Sequence, residues 1–340
     1  MTERFSKSKI RAAGGVLAGR SSKMTREEAL AVADAWRLEN GRALDEMSSL
    51  LADVVRDQPF GREAQVVSRL KRMDSIVGKL ARAQSTHELD TMYDIAGCRA
   101  IVPDCGCVEA LVQDLRTCAC VRKGIDYIAC PAPSGYRSFH LVTEHGAASG
   151  GRLLCAETQI RTRLQHYWAT SVETYDVFTG ADLKGGGKPQ GKGARFFQLA
   201  GSLLALQEGS PLVPGTPRSK GEIVDEMRSL ESSEHILARL GACSDSVDLI
   251  VDGFCEGEFA LCLMHIDYAE QQVLVCAYGA DQIEEANAAY VMAERSKQGL
   301  EDVLLVKVST LSDLRAGYPN YSSDVNGFLA AVKDAADGAL

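Results

Sequence analysis

Apolar residues recur at helical spacing from residue 25 to residue 57, with Ala29, Ala33, Trp36, Leu44, Met47, Leu50, Leu51 and Val54 falling on one stripe. Thr25 and Glu28, just ahead of that stripe, form a T-x-x-E capping signature, so the helix start is fixed by its own side chains. A second helix is expected from about 63 to 83. The pattern then shortens to β-like runs, CRAIV (98–102), DYIAC (126–130), SFHLVTE (138–144) and LLCAETQIR (153–161), with helical spacing at about 107–116 and again at 162–177. Strands interleaved with helices predict an α/β (α+β) fold, a sheet with helical cover.

Further along, Gly180–Gly193 contains GGGKPQGKG and reads as a flexible loop, and SPLVPGTP (210–217) reads as an extended connector. Between them Phe196, Leu199, Leu203 and Leu206 keep helical spacing. A helix at 222–240 precedes two apolar strands, FALCLMHI and QQVLVCAY, then a helix near 281–297 and a strand, VLLVKV. This ββαβ order predicts a small separate module. The expected organisation is a helical region at 1–60, a sheet domain at 61–208, a connector at 209–219 and an acidic α/β module at 220–340.

Charge sharpens that division. Residues 219–340 hold 8 Lys+Arg against 22 Asp+Glu, a net of −14, so within the total of −9 the first 218 residues carry +5. A basic first part suits a polyanionic substrate. No stretch reaches the roughly 18 apolar residues of a membrane span, and the basic N-terminal segment has only the short apolar run GGVLAG, so the expected location is the cytoplasm, without a membrane partner. In that reducing compartment the eleven cysteines are expected as thiols. Cys105 with Cys107 and Cys118 with Cys120 make two C-x-C pairs; structural zinc more usually shows C-x-x-C, and small buried hydrophobes are the favoured reading.

The candidate chemistry is concentrated in SGYRSFH (134–140) and AETQIRT (156–162). A strand's two-residue period puts Glu157, Gln159 and Arg161 on one face, opposite Thr158 and Ile160. Alone, such a row reads more readily as the wetted side of an antiparallel sheet. Asp94 precedes CRAIV, where its carboxylate either caps a turn or meets one from a neighbouring strand; two carboxylates converging with substrate phosphates are a usual way to hold Mg2+. Gly135-Tyr136 follows Pro131 and Pro133, a preset turn that presents a ring either to a base or to the core. His140 and Ser138 share a strand face. Lys71, Ser75 and Lys79 are four apart and line one side of a helix, with Arg69 pointing away unless the chain enters irregularly.

Together these blocks resemble the synthetase domain of the RelA/SpoT family, whose pattern runs R-x-K-x-x-x-S-I-x-x-K-L, D-I-A-G-x-R, D-Y-I, G-Y-R-S-x-H and E-x-Q-I-R-T. The matches here are Arg69 to Leu80, Asp94 to Arg99, Asp126 to Ile128, Gly135 to His140 and Glu157 to Thr162, all in the same order. The resemblance covers about 60–180 and implies a nucleotidyltransferase-like mixed sheet flanked by helices, so that 61–208 is the synthetase-like domain. It also implies transfer of the β,γ-pyrophosphate of ATP to the ribose 3'-hydroxyl of GDP or GTP. By the same resemblance Arg69, Lys71, Ser75, Lys79 and Arg99 would bind ATP. Asp94 and Glu157 would be catalytic and hold Mg2+, with Glu157 polarising the attacking hydroxyl. Tyr136, Arg137, Ser138, His140, Gln159, Arg161 and Glu173 would form the acceptor side.

Two positions depart from the pattern. Guanosine-using relatives commonly carry basic residues before D-Y-I and in the P-K-x-x-G-Y turn, and this chain has Ile125 and Ala132 there. Losing two charge-assisted phosphate contacts forfeits about 1.5–3 kcal/mol each, which brings in a second reading, an acceptor such as an adenosine nucleotide or the 3' end of tRNA. A nucleotide-binding regulator without catalysis is the third. The first 86 residues contain no histidine, whereas the family's hydrolase half needs a histidine-aspartate metal site, so synthesis alone is expected.

Overall fold

A computed structural model describes residues 5–82, 87–146, 152–179, 183, 191–244, 248–252, 261–267, 272–296, 301–307 and 325–338. Three helices come first, α1 (Lys7–Leu17), α2 (Arg26–Glu39) and α3 (Gly41–Arg56). The capping box forms as read: the Glu28 backbone N–H donates to Thr25 Oγ1 at 3.1 Å and the Thr25 N–H donates to Glu28 Oε2 at 2.8 Å. The continuous apolar stripe is divided at Asn40-Gly41, where the Asn40 side-chain amide donates to the Trp36 carbonyl at 2.8 Å and so takes an orphan acceptor at the end of α2.

The helix expected at 63–83 is a correction. Its first half is strand β1 (Gln65–Leu70) and only its second half is helix α4 (Met73–Ala81). Val66, Val67, Leu70, Met73, Ile76, Val77 and Leu80 keep a three-to-four spacing throughout, but adjacent β-branched valines suit a pleated strand, and β1 is hydrogen-bonded on both sides. Then follow β2 (Ala96–Val102), α5 (Cys105–Arg116), β3 (Val121–Asp126), β4 (Phe139–His145), β5 (Leu154–Thr162), α6 (Arg163–Thr179), α7 (Lys192–Glu208), α8 (Lys220–Glu234) and α9 (Ile236–Ser244). β3 stops at Asp126, because its carboxylate accepts the amides of Ile128 and Ala129 at 2.8 and 2.9 Å and closes a turn; DYIAC is therefore a turn rather than a strand. The helix expected at 222–240 breaks at His235, which is left-handed with φ 52°. Most of the Gly180–Gly193 loop lies outside the described residues.

The last part contains β6 (Asp248–Asp252), β7 (Leu261–Asp267), β8 (Gln272–Tyr278), α10 (Ile283–Ser296), β9 (Glu301–Lys307) and α11 (Asn326–Ala335). The ββαβ order occurs as read, with β6 added. Its strands share a sheet with the earlier ones: among the described residues one nine-stranded sheet runs β3-β4-β5-β2-β1-β9-β7-β8-β6. β9 joins β1 at Ser68↔Lys307 and Arg69↔Val306, so the outer edge of β1 is paired instead of being left open. β2–β5 and β6–β8 are parallel and the other pairs antiparallel, giving the α/β fold that the pattern predicted with the mixed sheet that the resemblance implied.

Helices α3 and α5 cover one face, packing Met47, Leu51 and Leu111 over Ala100 of β2, all fully buried, and α1 and α2 add Ile10, Val32 and Trp36 to the same core. A second core forms among α6, α7, α8, α9 and α11 around Trp168, Phe196, Phe197, Met227 and Phe328. α10 packs Ala286 and Tyr290 against Leu263, Val303 and Leu305 of the C-terminal strands.

A pH response is built into the buried end of β4. His145 is 7% exposed and lies 2.6 Å from Thr143 Oγ1 through Nε2. Burial pushes its imidazole below the ordinary histidine value, and Glu46 pulls the other way without cancelling it. A histidine depressed in the folded state contributes fully above its unfolded pKa of ~6.5, and that contribution is lost as pH falls through the folded value. Urea unfolding measured from about pH 7.5 to about pH 5 is expected to show a larger loss of stability for the wild type than for His145→Gln. Equal losses would assign the acid response to other groups.

Candidate active site

Sheet register assembles the site. Arg69 on β1 lies opposite Gly97 on β2, which lies opposite Glu157 on β5; one step along, Arg99 lies opposite Gln159, and Gln159 opposite His140 on β4. Glu157, Gln159 and Arg161 occupy one face, as the two-residue period required. Arg69, Lys71, Asp94, Gly97, Arg99, Glu157 and Gln159 line a single polar cleft of about 80 Å³. A wider groove, about 950 Å³ beside α1 and α2, is lined by Lys9, Arg11, Arg20 and Lys23 and shares no lining residue with this cleft.

At one end of the cleft two lysines converge on one oxygen. Lys71 Nζ is 2.8 Å and Lys79 Nζ 2.9 Å from Asp94 Oδ2. Lys71 follows β1, Lys79 sits on the second turn of α4, and Asp94 occupies the 3-10 turn Tyr93–Ile95 that enters β2. Burial opposes ionisation of Asp94, but Lys71 and Lys79 outweigh it and hold the carboxyl well below the ordinary range. Burial also pushes the Lys71 ammonium down, an effect Asp94 only partly offsets. Asp94 Oδ1 is buried with no hydrogen-bond partner.

At the other end a relay of side chains meets Glu157. His140 Nδ1 lies 2.8 Å from Glu157 Oε1, and the Tyr136 hydroxyl lies 2.8 Å from His140 Nε2. An ionised carboxylate only accepts, so Nδ1 carries the proton, and in the neutral ring Nε2 accepts from Tyr136. Burial pushes the Glu157 carboxyl up, yet the hydrogen bond from His140, helped by Lys79, leaves it below its usual value despite Asp94. Tyr136 follows Gly135, whose φ is +100° and where a Cβ would meet Trp168 at 2.9 Å; the turn that presents the ring needs glycine. Arg161 is 2% exposed and its Nε has no partner; burial, then the charge of Arg99, push it down to about 9, while Tyr136 and Glu173 oppose the shift.

Not every candidate reaches this cleft. Arg137 turns to the far side, where it donates to the carbonyls of Ile128 and Pro211, and Ser138 is fully buried and donates to the Ile160 carbonyl at 3.1 Å. Arg69 belongs to the strand rather than to the helix that carries Ser75 and Lys79. Glu173 sits on α6, near enough for its charge to act on Arg161. Tyr127 is an addition: its ring centroid is 5.0 Å from that of His140 and 6.0 Å from that of Tyr136, so three rings meet edge to face. Its place in D-Y-I was the available signal. His87 is another, close enough to Lys79 and Asp94 to feel both charges.

Among the described residues no three His, Cys, Asp or Glu side chains gather into a metal cage. The donor set in the cleft is two carboxylates, one with an orphaned buried oxygen, beside cations that suit phosphate. That combination fits magnesium, a hard ion that keeps waters and takes few protein ligands, better than zinc or calcium. Such a donor set on a mixed sheet suits the handling of phosphate groups.

Residues 68–175 match the family model described as "Region found in RelA / SpoT proteins". All five sequence blocks fall within that matched stretch, which spans about a third of the chain. GTP pyrophosphokinase YjbM and GTP pyrophosphokinase YwaC, both from Bacillus subtilis (strain 168), are each 38% identical to it over 111 residues. Those alignments take in 31% and 30% of this chain and 52% and 53% of the relatives, so the chain spans about half the length of the curated relatives it matches. Similar solved structures include small alarmone synthetase 2 from Bacillus subtilis, at 26% identity over 51% of this chain and 92% of that one, TM-score 0.43. Small alarmone synthetase 1 from Bacillus subtilis bound to its product pppGpp matches at 24% identity over 57% of this chain and 95% of that one, TM-score 0.41. No helix among the described residues is long and apolar enough to cross a membrane.

Proposed function

We propose that this chain is a nucleotide 3'-pyrophosphokinase that uses ATP as donor and GDP or GTP as acceptor, and works as a synthetase alone. The observation that carries the reading is the sharing of one cleft by Asp94 and Glu157, with Arg69 and Lys71 lining it and Lys79 bonded to Asp94. The ribose 3'-oxygen attacks the β-phosphorus of ATP; the bond from that phosphorus to the α,β-bridging oxygen breaks, AMP leaves, and the hydroxyl proton passes to the Glu157 carboxylate. Reactions of this kind depend on positioning and on neutralising phosphate charge, which four cations around two carboxylates supply. Asp94 and Glu157 would hold magnesium together with the substrate phosphates, where it neutralises charge on the transferring group. Arg69, Lys71, Lys79 and Arg99 bind the triphosphate, and Ser75 lies on α4 with Lys79. His140 keeps Glu157 ionised and oriented, while Tyr136 and Tyr127 offer ring faces and edges to the acceptor base. Gln159, Arg161 and Glu173 complete the wall.

A second acceptor class is favoured by one feature. Ile125 lies directly opposite His140 in the β3–β4 ladder, so an apolar side chain stands where guanosine-using relatives commonly have a cation. An adenosine nucleotide or a tRNA 3' end makes fewer demands at that point. Purified protein with magnesium and ATP labelled in the β-phosphate, offered GDP, GTP, AMP, ADP and bulk tRNA separately, is expected to label GDP or GTP and release equimolar AMP. Label in tRNA or in an adenosine nucleotide instead would transfer the reading to the second class, and magnesium-dependent AMP release with no acceptor in any arm would overturn both.

A further inference from the structure

Helix α4 starts without a cap of its own, since Arg72 at its N-cap position provides no side-chain acceptor. Its first amide is satisfied from far along the chain: the Met73 N–H donates to Glu294 Oε1 on α10 at 2.7 Å. The other oxygen of the same carboxylate accepts from Arg37 Nη1 at 2.7 Å, and Arg37 on α2 is wholly buried. Glu294 is 9% exposed, so this carboxylate is fixed between the N-terminal helices and the start of α4. Two further contacts from the C-terminal part land beside it. Asp302 on β9 pairs with Arg72, and Val306 on β9 pairs with Arg69 in the β1 ladder. Arg69, Arg72 and Met73 bracket Lys71, and α4 carries Lys79 onward to Asp94.

We propose that Glu294 is a positioning residue for the donor nucleotide: it sets the angle at which β1 turns into α4 and thereby holds Lys71 and Lys79 where the ATP phosphates bind. The inference rests on the reading of the cleft as an ATP site. A carboxylate at the first turn suits the positive end of the helix and supplies the missing acceptor. Because Arg37 sets Glu294, the acidic C-terminal part acts on the donor site through a bond to the helix start rather than through contact with substrate. Lysines fixed before ATP arrives lose less freedom on binding it, so the effect appears in donor affinity.

The test measures binding of a non-hydrolysable ATP analogue with magnesium by calorimetry, in the full chain, for wild type, Glu294→Ala and Glu294→Gln. Glu294→Gln keeps an oxygen for the Met73 amide and is expected within about twofold of wild type, whereas Glu294→Ala weakens binding about tenfold. In turnover, Glu294→Ala is expected to raise KM for ATP while kcat and the acceptor KM change less than about twofold, a split that a loss of stability alone does not give. Should Glu294→Ala fail to fold, Asp302→Asn weakens the pair with Arg72 at the same helix start and is expected to weaken binding about threefold. Equal analogue affinity in wild type and the folded variant overturns the inference, as does a Glu294→Gln defect as large as that of alanine. A wild type that binds no ATP analogue overturns the function reading itself, and is told apart because the failure is already present before any substitution.

Discussion

Glu157→Gln is expected to lower kcat by about 10³-fold while leaving the fold and its stability nearly unchanged. The substitution is isosteric, and the glutamine oxygen still accepts from His140 Nδ1 across the 2.8 Å contact, so the β4–β5 ladder and the ring cluster have no reason to move. What is removed is one negative charge at the point where the ribose hydroxyl must give up its proton. Loss of a positioned proton acceptor costs about 10²–10⁴-fold, and loss of one carboxylate from a two-carboxylate magnesium site acts in the same direction. The neighbouring charges respond as well, since Asp94 no longer faces a second anion and Lys79 keeps only Asp94 of these two carboxylates. Single-turnover rates with ATP and GDP, with urea unfolding of the same samples in parallel, check the expectation. Activity within tenfold of wild type, in a protein equally stable, would remove Glu157 from the chemistry and leave it as a structural partner of His140.

Which parts of this site were legible in the sequence follows from how local each cause is. The Glu157, Gln159 and Arg161 row needed only the period of a strand, and the Thr25–Glu28 capping box needed only four residues, so both stand as read. Asp94 was read correctly as standing ahead of a strand, although its two lysine partners required the path of the chain. β1 was misread because residues 66–80 carry apolar side chains at a spacing that serves a helix, and only pairing to β2 and β9, partners about thirty and over two hundred residues away, decides the matter. Arg137 and Ser138 lie inside a motif whose other members line the site, yet the turn at Gly135 sends them into the protein, a direction that residue spacing does not encode. The joining of the C-terminal strands to β1 and the tie from Glu294 to Met73 fail to appear in the sequence for the same reason. Pairing a sheet edge and capping a helix from across the fold are long-range events with no local pattern.

The largest effect on stability is expected at Arg37. Its guanidinium has no exposure, donates to Tyr290 Oη at 3.0 Å, Glu294 Oε2 at 2.7 Å and Asp34 Oδ1 at 2.8 Å, and lies 4.6 Å from the centre of the Tyr290 ring. Burial lowers its proton affinity, but the surrounding Tyr290, Glu294 and Asp34 more than restore it, so the group is a cation that the folded chain requires. Arg37→Met keeps an apolar stem and deletes the charge, leaving Glu294 buried against the helix start with its main counter-charge gone; Asp34 retains Arg295 at 3.0 Å. Removing one partner of a buried pair costs about 3–5 kcal/mol, far more than the pair is worth against a neutral replacement. That asymmetry makes a second measurement informative. Arg37→Met combined with Glu294→Gln removes both charges while keeping an acceptor for the Met73 amide, and is expected to recover most of the stability lost in Arg37→Met. If the two substitutions instead add, each contributes through packing alone, and the carboxylate between α2 and α4 is not the electrostatic link between the ends of the chain.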